Sequence, residues 1–148
     1  MDKNCKIEVK FKKLYSDAII PKQIREGDSG LDIYAYEDCV LEPFKTGFIK
    51  TGVAVEIPAM FEGQVRPRSG LALNHGVTVL NTPGTIDCNY RGEIKIILIN
   101  LGDKEHQIKK GDRIAQLVIC AVPYVQVLER DSLSDSVRGE SGFGSSGK

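Results

Sequence analysis

From Lys6 onward the chain beats in twos: Ile7, Val9 and Phe11 are apolar, while Lys6, Glu8 and Lys10 are charged. That period turns one face inward and the other to water, as a half-buried strand requires. The same beat returns in "GVAVEIP" with Val53, Val55 and Ile57, and "VTVLN", "EIKIILIN", "IAQLVICAV" and "YVQVLE" extend it. Glycine-bearing turn signals, "EGDSG", "NTPG", "NLGD" and "KKGD", stand between these runs. Short strands so spaced predict an all-β fold, an antiparallel sandwich, jelly roll or barrel. Only "SGLALNHG" reads as a helix, of about two turns, with Ser69 placed to cap it and Gly76 to end it. After "VLE" the pattern stops, and the polar "RDSLSDSV" leads into "RGESGFGSSGK". The expected division is therefore a β core over 1–137 and a glycine- and serine-rich segment over 138–148, which has almost nothing apolar to bury.

Composition narrows the partners. A chain of 148 residues suits one domain with a real core. Lys+Arg and Asp+Glu stand at 20 each, so no bulk basic field argues for nucleic acid. "MDKNCK" opens the chain without an apolar stretch behind it, and no run approaches the length of a membrane span. The expected setting is the cytoplasm, with neither nucleic acid nor membrane as partner. Cys5, Cys39, Cys88 and Cys120 are scattered, and only His75 and His106 accompany them. Reduced cysteines are expected rather than a zinc cluster or a disulfide framework.

Five segments carry candidate chemistry. In the tail, "GFGSSGK" satisfies G-x-x-x-x-G-K, but the Ser/Thr and the helix that a P-loop needs do not follow. What remains is glycine backbone able to approach phosphate closely, with Arg138, Ser145 and Ser146 as added donors. Phe143 stands among them, an aromatic ring that a plain linker does not need. "RPRSGLA" sets Arg66 and Arg68 before Ser69 and Gly70 at the helix start, a gathering of donors suited to an anion. It reads equally as a capped, solvated strand edge. "NTPGTIDCNYRGE" reads as a tight hairpin turning at Cys88-Asn89, whose open strand edge can bond the polar edge of a nucleobase. Asp87 at its lip can take a proton from water, and Tyr90 offers a flat face to a ring or sugar. A surface hairpin with a turn aspartate and a packed tyrosine is the plainer alternative. "DSGLDIYA" places Asp32 on a strand, and "GDRIAQL" presents Arg113 and Gln116; alone, these read as structure. His75 and His106 are isolated and read as surface residues.

Taken in order, these segments resemble the five motifs of the trimeric dUTPase family, the deoxyuridine triphosphate nucleotidohydrolases, in "DSGLDIYA", "RPRSGLA", "GTIDCNYRGE", "GDRIAQL" and "RGESGFGSSG". The likeness runs from about Asp28 to the C-terminus, with Ser141, Ser146 and Leu31 as small departures from the usual pattern. The resemblance implies an all-β, jelly-roll-like barrel or sandwich with one short helix, a homotrimer with shared active sites, and magnesium-dependent hydrolysis of dUTP to dUMP and pyrophosphate. That reaction limits uracil incorporation into DNA and supplies dUMP. By the same resemblance, Asp87 activates the water that attacks the α-phosphorus, and Tyr90 packs beneath the deoxyribose. Backbone from Asn81 through Gly84, Thr85 and Ile86 to Asp87 reads uracil. Arg68, Ser69, Gly70 and Gln116 hold the phosphates, Lys95 touches the nucleotide, and Asp32 faces Mg2+ through water. Arg113 is implied to be an ion-pair partner. The tail becomes a lid in which Phe143 stacks on uracil, Arg138 meets the terminal phosphate, and Gly144 and Ser145 wrap the charge; in the family the lid comes from a neighbouring subunit. Two alternatives remain: a dCTP deaminase-like enzyme of the same fold, and a dUTP-sensing interaction protein.

Overall fold

The computed structural model describes residues 6–142. Its strands, in chain order, are β1 (Lys10–Lys13), β2 (Gly30–Tyr34), β3 (Cys39–Leu41), β4 (Thr46–Glu56) and β5 (Phe61–Arg66). The helix α1 (Ser69–His75) follows, then β6 (Val77–Val79), β7 (Gly84–Ile86), β8 (Glu93–Asn100), β9 (His106–Ile108) and β10 (Arg113–Ala121). Two four-stranded antiparallel sheets, ordered β1-β4-β8-β6 and β2-β10-β5-β7, form a jelly-roll-like sandwich, with β3 and β9 as a separate ribbon.

The core is what the alternation promised. Ile94, Ile96 and Leu98 of β8 are buried, and so are Val53 and Val55 of β4. They meet Ile33, Val65, Ile86 and Leu117 from the other sheet. Each such side chain contributes about 1.5–3 kcal/mol of hydrophobic stabilisation. Asn100, a fully buried amide at the end of β8, has every donor and acceptor on its side chain answered. Its Nδ2 donates to the Leu41 and Lys104 carbonyls at 2.8 Å each, and its Oδ1 accepts from Gly102 N–H at 2.9 Å. Replacing it with an apolar residue would orphan those backbone groups.

A bulge in β4 bears on the site. Lys50 pairs with Lys95 and Ala54 with Glu93, so four steps on β4 oppose two on β8. Gly52 sits in the bulge at φ +72°, a region open to glycine. The Thr51 hydroxyl donates to the Ile94 carbonyl at 2.6 Å, and the Glu93 carboxylate accepts from Gly52 N–H at 2.9 Å. Side chains thereby replace the lost ladder bonds.

Several sequence expectations shift. The first strand lies at Lys10–Lys13 rather than across "KIEVKF": Val9 and Phe11 pack on the core, while Ile7 is 45% exposed. Ser69 does not cap the helix. Arg68 occupies the cap position with no side-chain cap bond, and Ser69 is the first helical residue. Gly76 does end it, in the left-handed conformation at φ 66°. The expected hairpin around Cys88-Asn89 is instead a crossing: β7 pairs with β5 and β8 with β4 and β6, so the turn carries the chain from one sheet to the other. "YVQVLE" is no strand here. Residues 122–142 contain no regular element, and Val127 is 89% exposed, because neither sheet offers that segment a neighbour.

Candidate active site

The sheet crossing makes a hollow. Strand β7 is the edge of its sheet, paired with β5 through Gly63–Ile86, Gln64–Thr85 and Val65–Gly84, and among the described residues no strand lies on its other side. Gly84 and Ile86 face inward and Thr85 outward, so the open backbone edge is held by two buried anchors. Around it lies a cavity of about 300 Å³, lined by Asn81, Gly84, Thr85, Ile86, Asp87, Tyr90 and Lys95, with Phe48, Val65, Glu93 and Ile94 completing the walls. The first seven of these residues were singled out from the sequence, and they surround one space.

Local bonds set its shape. Tyr90 N–H donates to the Asp87 carbonyl at 3.0 Å, closing the turn that presents the exposed Asp87 carboxylate. Arg91 Nη1 donates to the carbonyls of Cys88 and Tyr90 at 2.7 and 2.9 Å and braces the same turn. The Tyr90 hydroxyl donates to the Glu93 carbonyl at 2.9 Å, which folds the ring back along the chain while leaving the residue 44% exposed. Lys95 Nζ stands 5.3 Å from the centroid of the Phe48 ring, a cation over an aromatic face. Phe48, Glu93 and Arg91 escaped the sequence reading. Glu93 and Arg91 sat inside the quoted "YRGE" run and were legible there; Phe48, 63% exposed, comes from β4 and carries no signal before folding.

The expected phosphate-binding group lies elsewhere. On neighbouring strands, Gln116 of β10 is in register with Asp32 of β2 and Arg66 of β5. Gln116 Nε2 donates to the Pro67 carbonyl at 2.8 Å. Arg113 Nη1 lies 3.0 Å from one oxygen of Asp32, as an ion-pair partner should, and Arg68 Nε lies 3.5 Å from the other. Arg68 Nη1 also donates to the Arg113 carbonyl at 2.8 Å. Ser69 and Gly70 open α1, where the first N–H groups have no intrahelical partner. Arg68 and Arg113 line a different cavity, of about 260 Å³, and no residue of this group lines the first one. Arg138 is exposed, its Nε donating to the Ser141 carbonyl at 2.8 Å within a local turn. Phe143, Gly144 and Ser145 lie outside the described residues.

As a metal holder the donor set is sparse. Among the described residues no group of three His, Cys, Asp or Glu converges. Asp32 offers one carboxylate with a guanidinium near each oxygen. That set cannot replace the water shell of magnesium, which keeps much of its hydration and takes ligands from phosphate oxygens. It fits only contact through water.

The dUTPase family model matches residues 16–147. The chain belongs to the dUTPase family. A curated relative, the deoxyuridine 5'-triphosphate nucleotidohydrolase of Clostridioides difficile, is 54% identical over 139 residues, covering 94% of this chain and 97% of the relative. Among solved structures, the Staphylococcus bacteriophage 80alpha dUTPase with dUpNHpp superposes with a TM-score of 0.88 at 32% identity, over 95% of this chain and 99% of the other. A mutant dUTPase of the S. aureus phage phi11, described as coordinating a structural Mg(II) ion, gives a TM-score of 0.78 at 27% identity, over 84% and 97% of the two chains. This chain is thus an enzyme of the family of dUTP hydrolases, and neither a deaminase nor a sensing module is favoured. Among the described residues no helix is long and apolar enough to cross a membrane.

Proposed function

We propose that this protein hydrolyses dUTP to dUMP and pyrophosphate, with uracil seated in the 300 Å³ cavity beside β7. The observation that carries this reading is the open edge of β7, its ends anchored by buried Gly84 and Ile86, facing a space with Asp87 and Tyr90 on its wall. Uracil presents an acceptor–donor–acceptor edge, and main-chain N–H and C=O groups from Asn81 to Asp87 complement it as a neighbouring strand would. Cytosine would bring a donor where an acceptor is wanted, and the thymine methyl would collide. Tyr90 lies under the sugar and leaves no room for a 2′-hydroxyl.

Asp87 accepts a proton from water as that water's oxygen attacks the α-phosphorus. The bond from the α-phosphorus to the α,β-bridging oxygen breaks, and the electron pair leaves with pyrophosphate. Arg68, Ser69, Gly70 and Gln116 bind the phosphate oxygens and hold the chain in line, with Lys95 at the cavity wall. Magnesium, when bound, would draw charge off those oxygens, with Asp32 reaching it through water.

Because the base cavity and the phosphate group occupy separate parts of one chain, the working site is formed between copies, in a homotrimer. The exposed "YVQVLE" segment supports this, since its strand-like alternation has no neighbour within its own chain among the described residues. Residues 138–148 then serve as the lid beyond a core over 1–137: Arg138 meets the terminal phosphate, Phe143 covers uracil, and Gly144 and Ser145 wrap the phosphates. Ordering such a segment costs about 1–2 kcal/mol per residue, which only a ligand with several charged contacts offsets. The protein acts in the cytoplasm, on free nucleotide, limiting uracil in DNA and supplying dUMP. Pyrophosphate release with magnesium, compared across dUTP, dTTP, dCTP and UTP, tests the assignment. Release from dUTP alone is expected, and equal cleavage of all four would overturn it.

A further inference from the structure

Gly92 has a role that its backbone does not require. Its φ is not in the left-handed region, so no positive φ calls for glycine there. The space around it is another matter. A Cβ at Gly92 would come within 2.9 Å of Tyr90 Cε2 and closer still to Cζ and the hydroxyl oxygen; the three nearest atoms all belong to that one side chain. The Tyr90 ring therefore lies directly over the α-carbon of Gly92, with its hydroxyl bonded to the carbonyl of the next residue, Glu93, at 2.9 Å. Glu93 is itself fixed, since its carboxylate accepts from Gly52 N–H in the β4 bulge at 2.9 Å. Next to it, the Ile94 carbonyl is held by the Thr51 hydroxyl at 2.6 Å.

We infer that Gly92 is a specificity-determining positioning residue: it provides the seat on which Tyr90 lies, and so sets how much room the cavity leaves for the sugar. This rests on the reading of Tyr90 as the sugar filter. The ring has no other route back to that pose, because any side chain at position 92 occupies the volume the ring fills. Tyrosine turns about two torsions, so the clash is relieved by the ring swinging away rather than by the strand opening. The bulge contacts stay in place, and the fold survives while the filter moves.

The test measures kcat and KM on dUTP and UTP for the full-length wild-type protein, Gly92→Ala, Tyr90→Ala and the double variant, with circular dichroism and size-exclusion chromatography on each. Tyr90→Ala is expected to lower the dUTP/UTP ratio of kcat/KM by about tenfold or more, and Gly92→Ala to lower it comparably. In the double variant Gly92→Ala should add nothing, since the group it collides with is gone. An effect of the alanine that persists in the Tyr90→Ala background would instead mark Gly92 as a general structural residue and overturn the inference. A folded Gly92→Ala with the wild-type ratio would overturn it too, leaving the role of Tyr90 intact. A Tyr90→Ala variant with unchanged discrimination would remove the filter reading and the inference with it. If Gly92→Ala fails to fold, a folded double variant still assigns the clash to Tyr90, and a double variant that also fails to fold rejects it.

Discussion

The proposed base cavity and the proposed phosphate-binding group are built on different principles. The cavity is made of backbone: the edge of β7, fixed by the burial of Gly84 and Ile86, and a turn braced by Arg91. Its shape exists before any ligand arrives. Charged side chains dominate the other group, and they answer one another, Asp32 lying between Arg68 and Arg113. Choosing one pyrimidine among several calls for a rigid outline, because a soft pocket adapts to the wrong base. Holding a triphosphate calls for charge that can be redirected. An arginine kept extended by a carboxylate loses less freedom when a phosphate replaces that partner.

The sharpest test of this contrast is Asp87→Asn, which keeps the outline and removes the base. Turnover of dUTP should fall by about a thousandfold while nucleotide binding by calorimetry persists; near-normal turnover would take Asp87 out of the chemistry. Removal of residues 138–148 should leave circular dichroism and thermal midpoint unchanged and lower kcat/KM on the order of a hundredfold. Full activity would make the tail dispensable. Arg68→Lys should touch only the charged group, raising KM about tenfold through loss of the planar fork, with the order of preference among dUTP, dTTP and dCTP kept. A changed base preference would show that the two regions are not independent.

The smallest effect expected lies away from both. His75 and His106 are not isolated, as their spacing in sequence suggested: their rings stand 4.4 Å apart. Burial first, and the neighbouring His75 second, hold His106 below the ordinary imidazole value of 6.5. The folded chain thus takes up that proton less readily than the unfolded one. The stability contribution is full above about pH 6.5 and is lost as pH falls below it. The thermal midpoint should drop modestly from about pH 7 to about pH 5.5, and His106→Gln should flatten that slope. An identical slope in the variant would assign it to other groups.

Much of the candidate site was legible before folding because its residues sit in short runs. Asn81, Gly84, Thr85, Ile86, Asp87 and Tyr90 line one cavity largely because so short a stretch of chain cannot spread far, and Asp87 stood out as a candidate from its place at a turn. The alternation in "EIKIILIN" likewise became β8 without change, since a period of two has one way to bury its apolar face. Other readings failed where a local pattern had competing partners. "NTPGTIDCNYRGE" looked like a hairpin, but β7 and β8 found better neighbours in separate sheets.

Sequence alone determined the inward and outward faces of the strands, the helix stop at Gly76 and the choice of candidate site residues, because each follows from a residue and its near neighbours. Tertiary structure decided that Phe48 and Glu93 wall the cavity, that Asp32 is shared by Arg68 and Arg113, and that "YVQVLE" finds no neighbour within its own chain among the described residues. Those outcomes depend on which distant strand wins the pairing. That choice rests on packing summed over the whole sandwich, which no short stretch encodes.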